Sequence, residues 1–427
     1  MKTLFGTSGI RGVFNQDLTT EICYEVAKAL GTLLPPGARV CLATDTRTSG
    51  AAIKEAIFSG LLSCGTQLTD LGILPTPALA LLTREWGFDT GIMVTASHNP
   101  PEFNGIKLFN GDSLGYSQAQ EQQLEKIYLE KSFRRGSQGS LSHGEGMSNS
   151  YRRFIENRLP SNKLNKNLRV VVDPGNGAAS GFASKLFTEM GLKVLPLNDT
   201  PDGLFPGRNP EPKEDTLHDT VRFLREMKAD LAVCFDGDAD RVVFCDREGF
   251  LGFNELIAFI SRLVIEENGK RKVASTVETG RLLDLAIEDL GAEVIRGKVG
   301  DVHVAHLARE KDAAIGVEQV GVYIIPEAGY YPDSIYATLL LLSRIKDVVE
   351  IRDFFKKLPD LYFEKKKIAC ANHLKQEVMA KVEEKAYILG TKDINTLDGL
   401  RFEYEDSWML IRASGTEPAI RIIAEST

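Results

Sequence analysis

Ser97 lies in the hexapeptide Thr95-Ala96-Ser97-His98-Asn99-Pro100, directly after the apolar run Gly91-Ile92-Met93-Val94. A polar, turning segment behind a buried strand end is where α/β proteins keep their chemistry. Ser97 is the strong nucleophile there, with His98 beside it. Acyl transfer, a plain structural turn and phosphoryl transfer are all open to it. Acyl transfer would need a His base and ordinarily a Gly-x-Ser-x-Gly elbow, which this segment lacks. Phosphoryl transfer needs a metal and cations around the moving group.

Candidates for both lie elsewhere in the chain. Asp236, Asp238 and Asp240 alternate with Gly237 and Ala239, and Arg241 follows. Alternate carboxylates on an extended loop can converge on one hard cation, Mg²⁺ or Ca²⁺. An EF-hand does not fit, because Arg247 stands where that loop needs a Glu. Near the C-terminus, Arg412-Ala-Ser414-Gly415-Thr416-Glu-Pro418 and then Arg421 have the content of a phosphate cradle. Arg supplies forked donors, the hydroxyls add more, and Gly415 lets backbone N–H groups approach. An ordinary hairpin loop is the plainer alternative. The N-terminal Gly6-Thr7-Ser8-Gly9-Ile10-Arg11 is also phosphate-friendly, and Asn104-Gly-Ile-Lys107 puts a Lys just after the Ser97 loop. Asp45 and Arg47 are expected to brace a strand end. No Gly-x4-Gly-Lys-Ser/Thr loop is present, which argues against a P-loop NTPase. The six His residues form no ligand cluster, and His303 and His306 are expected to be surface or packing residues.

The elements that must position these residues alternate. Helices are predicted over about Thr20–Leu34 and Ala51–Ser63 and from Pro75 onward, with strands at Arg39–Thr44 and Gln67–Leu71 between them. Polar, Gly/Ser-rich residues 133–150 read as a boundary. A second unit runs from the strand Leu168–Asp173 to the strand Leu231–Phe235 and the Asp loop. A third spans about Phe253–Arg344. The end differs, with a charged helix at Leu374–Ala386 and alternating strands at Leu400–Tyr404, Trp408–Arg412 and Ala419–Ala424. Alternation of strand and helix implies mostly parallel, covered sheets. At 427 residues the chain is too long for one core. A 43% hydrophobic and 26% charged composition is that of a globular protein. A formal charge of −8 argues against nucleic-acid or anionic-membrane binding. The six cysteines form no CxxC pair, as in a reducing compartment. Neither a leader's apolar core nor a run of about 20 apolar residues is seen, so a cytoplasmic location is expected.

In their order, Thr95–Pro100, Asp236–Arg241, Glu318-Gln-Val-Gly321 and Arg412–Pro418 resemble the α-D-phosphohexomutase family over nearly the whole chain. Phe5–Gly12, Asn104–Lys107, Asn209-Pro-Glu-Pro212 and Lys298-Val-Gly-Asp301 agree with it. The resemblance implies three related α/β domains with mixed, mostly parallel sheets and a C-terminal α+β domain, around a central cleft. The expected boundaries are 1–150, 151–250, 251–355 and 356–427. It implies that Ser97 is carried as phosphoserine and holds Mg²⁺ together with Asp236, Asp238 and Asp240. Arg11 and Lys107 would act at the transferring group, and His98 and Arg241 would support the loops. Glu318, Gln319 and Gly321 would read the sugar. Arg412, Ser414, Gly415, Thr416 and Arg421 would hold the other phosphate.

The implied partner is a sugar monophosphate, with a sugar 1,6-bisphosphate as activator and intermediate, acted on by a monomer or homodimer. Phosphoglucosamine mutase of the archaeal type is the expected activity, and phosphomannomutase/phosphoglucomutase the alternative. A phosphatase and a non-catalytic sugar-phosphate binder are further alternatives. One departure bears on the sugar: Val320 and Val322 stand where the family has polar residues, and Asp333-Ser334 where it has Asp-Gly. An unpaired sugar hydroxyl costs about 1–3 kcal/mol, enough to change specificity.

Overall fold

The computed structural model describes residues 4–6, 9–136, 138–144, 146–159, 163–391, 393–415 and 418–427. The chain divides into two compact units, one of Met1–Leu251 and Val320–Glu350, the other of Gly252–Gln319 and Ile351–Thr427.

The first unit holds two sheets. The larger runs Ile10–Val13, Phe103–Asn110, Thr90–Val94, Arg39–Thr44, Gln67–Ile73, Ser140–His143. Its first two pairings are antiparallel and the other three parallel. Arg39–Thr44 and Thr90–Val94 are buried almost throughout, as near-continuous apolar runs in a covered sheet should be. The helix Thr20–Leu33 lays Cys23, Val26, Ala27 and Leu30 on this core, and the Thr19 hydroxyl accepts from Ile22 N at its start. Residues 133–150 are therefore more than a boundary. They contain an edge strand, Ser140–His143, paired parallel to Gln67–Ile73. Its side chains are all exposed, so no apolar alternation betrays it.

The second sheet runs Val242–Cys245, Leu231–Phe235, Arg169–Asp173, Lys193–Pro196, with only the first pairing antiparallel. Both sheets of this unit leave functional segments at the carboxyl ends of their strands. The Ser97 loop follows Thr90–Val94, and the Asp loop follows Leu231–Phe235. That is where open α/β sheets place ligands.

In the second unit, Glu293–Gly297, Lys272–Thr276 and Ile315–Glu318 are parallel neighbours. An antiparallel sheet has the order Tyr362–Ala369, Ala419–Ser426, Ser407–Ala413, Leu400–Glu403, Ile394–Asn395. Ser407–Ala413 alternates buried and partly buried side chains, the pattern of a sheet with one covered face. Trp408, Leu410 and Ile423 pack on Val277 from that face. The strand Tyr362–Ala369 was not legible, because its run of lysines hides the alternation. Among the described residues no helix is long and apolar enough to cross a membrane.

Candidate active site

The Ser97 loop is clamped from below. Asp45 and Arg47, at the end of the strand Arg39–Thr44, pair at 3.0 Å with both side chains fully buried. The Arg47 guanidinium donates to the carbonyls of Ser97 (2.9 Å), Asn99 (2.6 Å), Pro100 (2.5 Å) and Phe103 (2.9 Å). Asp45 Oδ2 accepts from the Thr95 hydroxyl at 2.6 Å, and Thr95 Oγ1 accepts from Ser97 N at 2.8 Å. This network holds Ser97 at φ 52°, in the left-handed region that a residue with a Cβ seldom adopts. Such strain costs about 1–3 kcal/mol and persists where surrounding structure over-determines it. The expected brace is thus real, and its reach extends to Ser97.

The Asp loop meets this loop directly. Gly237 is packed so closely on Ser97 that a Cβ there would lie 2.4 Å from the Ser97 carbonyl oxygen. Ser97 Oγ donates to Asp236 Oδ2 at 2.6 Å. Lys107 Nζ donates to Asp238 Oδ2 at 2.7 Å and to Asp240 Oδ2 at 2.5 Å. Thr76, at the first turn of the helix Thr76–Glu85, donates to Asp238 Oδ2 through its hydroxyl at 2.6 Å and to the Asp238 carbonyl through its N–H at 2.9 Å. A helix N-terminus favours a carboxylate. Ser334 ties the loop from another side, its hydroxyl donating to the Ala239 carbonyl at 2.6 Å.

The three carboxylates fit a hard cation. Each can offer an oxygen within 4.8 Å of those of the other two. All three side chains are buried, and Asp238 Oδ1 has no hydrogen-bond partner. A buried carboxylate oxygen left unsatisfied is costly unless something positive occupies that side. Burial, then Asp240 and Asp238, push the Asp236 carboxyl well above its ordinary pKa, against Arg241 and the Ser97 hydrogen bond.

His98 Nδ1 lies 3.3 Å from Ser97 Oγ. The positive charge of Arg241, then burial, then Arg11, Lys107 and Arg47 hold its ring far below the ordinary imidazole pKa. A ring so disfavoured as a cation is a poor proton acceptor. Arg11 Nη1 donates to Asn99 Oδ1 at 3.1 Å. The Arg241 N–H donates to Asp236 Oδ1 at 3.2 Å, and its guanidinium Nε stands 3.9 Å from Asp240 Oδ1. The first unit therefore brings Ser97, His98, Arg11, Lys107, Arg241 and all three Asp together.

In the second unit, Glu318 accepts from Gly300 N at 2.9 Å. The Gln319 amide donates to the Glu278 carbonyl at 3.0 Å and accepts from Gly280 N at 3.1 Å. Arg412 pairs with Glu278 at 3.1 Å and with Asp398 at 3.0 Å, so its fork is pre-oriented. Arg412 stands opposite Arg421 in the sheet. Ser414 is buried, and its carbonyl accepts from Lys375 Nζ at 2.6 Å, while Gly415 is exposed. Thr416 lies outside the described residues, as do Thr7 and Ser8.

The loop thought to read the sugar looks different in three dimensions. Gly321, in the first unit, has φ 81° and approaches Val242 so closely that a Cβ would fall 2.3 Å from its carbonyl oxygen. Packing accounts for that glycine. Val322 is 1% exposed and bridges to Arg241, so it is a core residue rather than a lost hydroxyl ligand. Val320 is only partly buried. Sequence reasoning also missed Thr76, Asn99, Glu278, Lys375 and Asp398, whose roles rest on contacts far apart in the chain.

Four family models match in series. Domains I, II and III of phosphoglucomutase/phosphomannomutase, each α/β/α, match residues 2–135, 149–249 and 253–362, and the C-terminal domain matches 366–427. The chain belongs to this phosphoglucomutase/phosphomannomutase family of α-D-phosphohexomutases. It is a phosphohexomutase, an intramolecular phosphotransferase of the isomerase class. A probable phosphoglucosamine mutase of Pyrococcus furiosus is 40% identical, covering 100% of this chain and 94% of that protein. One of Methanopyrus kandleri is 38% identical with the same coverage. A solved structure of a phosphoglucomutase/phosphomannomutase family protein from Burkholderia thailandensis superimposes with TM-score 0.87 at 27% identity, covering 100% of this chain and 94% of that one.

Proposed function

We propose that this phosphohexomutase is a phosphoglucosamine mutase that moves a phosphoryl group between the 6- and 1-positions of its sugar by way of phosphoserine at Ser97. The observation that carries the reading is Ser97 Oγ held 2.6 Å from Asp236, the first residue of the loop whose Asp238 and Asp240 pair with Lys107. The sugar rests on the curated relatives, two of which are named probable phosphoglucosamine mutase over their near-full length. Phosphomannomutase/phosphoglucomutase is the second reading, favoured by the name of the Burkholderia structure.

The transfer runs in two halves. The Oγ–P bond at Ser97 breaks as a sugar hydroxyl oxygen bonds to phosphorus, the sugar hydroxyl giving up its proton and the freed Ser97 Oγ taking one up. In the second half the other sugar O–P bond of the 1,6-bisphosphate breaks as Ser97 Oγ bonds to that phosphorus, Ser97 losing its hydroxyl proton and the freed sugar oxygen gaining one. Asp236, Asp238 and Asp240, with an oxygen on Ser97, would hold Mg²⁺, which supplies positive charge to the moving group. Lys107 and Arg11 stabilise charge there and are the candidates for proton transfer. Arg241 orients the Asp loop, and His98 shapes the Ser97 loop. Arg412, Ser414, Gly415, Thr416 and Arg421 bind the phosphate that is not reacting, while Glu318 and Gln319 face the sugar and Gly321 sets the turn of their loop. This reading divides the chain at about 150, 250 and 355, as monomer or homodimer in the cytoplasm.

A coupled assay with glucosamine-, mannose-, glucose- and ribose-phosphates, Mg²⁺ and the bisphosphate activator tests it. Glucosamine phosphate should be isomerised fastest, and Ser97→Ala should abolish turnover while binding persists. Faster turnover of mannose or glucose phosphate would move the reading to the alternative. Full activity in Ser97→Ala would remove Ser97 from the chemistry. Release of inorganic phosphate without isomerisation would indicate a phosphatase.

A further inference from the structure

The C-terminal antiparallel sheet sets three cations in one row. Lys367 stands opposite Arg421, and Arg421 opposite Arg412. Directly opposed residues share a face. Two residues back on the edge strand, Lys365 therefore lies on that same face, opposite Ile423 and beside Arg421.

Lys365 is not a loose surface charge. Its ammonium stands 5.2 Å from the centre of the Phe363 ring, and Phe363 packs on Trp408 at 6.2 Å. A cation over an aromatic face is held in place. The side chain is exposed, while neighbouring protein partly desolvates its ammonium. That crowding, and Arg421 in the opposite sense to Glu278 and Glu318, lower its pKa. The charges that face it are therefore Arg421 of the phosphate cradle, Glu278 that orients Arg412, and Glu318 of the sugar loop.

We propose that Lys365 is a further substrate-binding residue, whose ammonium holds the non-reacting phosphate from the side of Glu318 and so sets the spacing between that phosphate and the sugar ring. The proposal rests on the cradle reading of Arg412 and Arg421. Lys366, which pairs with Ile422 and points to the other face, supplies the internal control.

The test uses the Mg²⁺-loaded enzyme and whichever sugar phosphate it isomerises. Lys365→Ala and Lys365→Met should raise KM about tenfold or more, the effect of losing one charge-assisted hydrogen bond. Their kcat should change by less than about threefold, Lys365→Arg should recover most of the affinity, and thermal melts should match the parent. Lys366→Ala should leave KM unchanged. If Arg421→Ala raises KM but folded Lys365→Ala and Lys365→Met do not, the Lys365 proposal fails and the cradle stands. An unchanged KM in Arg421→Ala overturns both.

Discussion

Arg47 illustrates how one buried side chain can fix the backbone of a whole loop, that of Ser97. Its guanidinium reaches four loop carbonyls while Asp45 neutralises it. Asp173 and Arg208 repeat the device in the second sheet. Arg208 pairs with Asp173 at 3.0 Å and donates at 2.6 Å to the carbonyl of Phe235, the residue before Asp236. Breaking a buried pair strands a charge and costs about 3–5 kcal/mol. Arg47→Ala should lower unfolding free energy by about that amount in urea titration, and kcat should fall more than tenfold as Ser97 relaxes from its left-handed conformation. A stability loss below about 1 kcal/mol would show that the pair is not the brace described.

At the scale of elements, helix ends carry much of the positioning. The helix Thr76–Glu85 presents its first turn to Asp238. The helix Ser334–Arg344 begins with Asp333 as its cap and sends Ser334 to the Asp loop. The helix Gln118–Glu130 opens with a capping box of Ser117 and Gln120. In its first turn, burial and then Glu125 push the Glu121 carboxyl up to about 7. A raised carboxyl pKa means that the folded state binds the proton more tightly. Stability is therefore undiminished below the unfolded value, falls as pH rises through the interval up to about 7, and stays lowered above it. Glu121→Gln should melt higher than the parent at pH 8 and indistinguishably from it at about pH 4. An equal melting difference at both pH values would refute the assignment.

At the scale of the molecule, a metal held by the Asp loop would link stability to activity. A cation bound by Asp236, Asp238 and Asp240 in the folded state raises the melting temperature by mass action. Adding Mg²⁺ to chelator-treated protein should raise Tm and restore isomerisation, and Asp238→Asn should blunt both responses. An unchanged Tm at millimolar Mg²⁺ with parent protein would argue against the site.

What the sequence determined by itself is the set of local signals: apolar strands ending in polar loops, the alternating Asp residues, the Arg-Ala-Ser-Gly segment and their order. These are legible because strand periodicity, metal-ligand type and turn chemistry are short-range properties. Only the tertiary structure decided that Val322 is a core residue, that Ser334 fastens the Asp loop, that Ser140–His143 joins a sheet, and that Lys365 shares a face with Arg421. Each depends on register or on a contact between distant residues. A lysine-rich edge strand and an exposed strand have no apolar pattern to announce them, and a valine in a loop motif does not reveal which way it points.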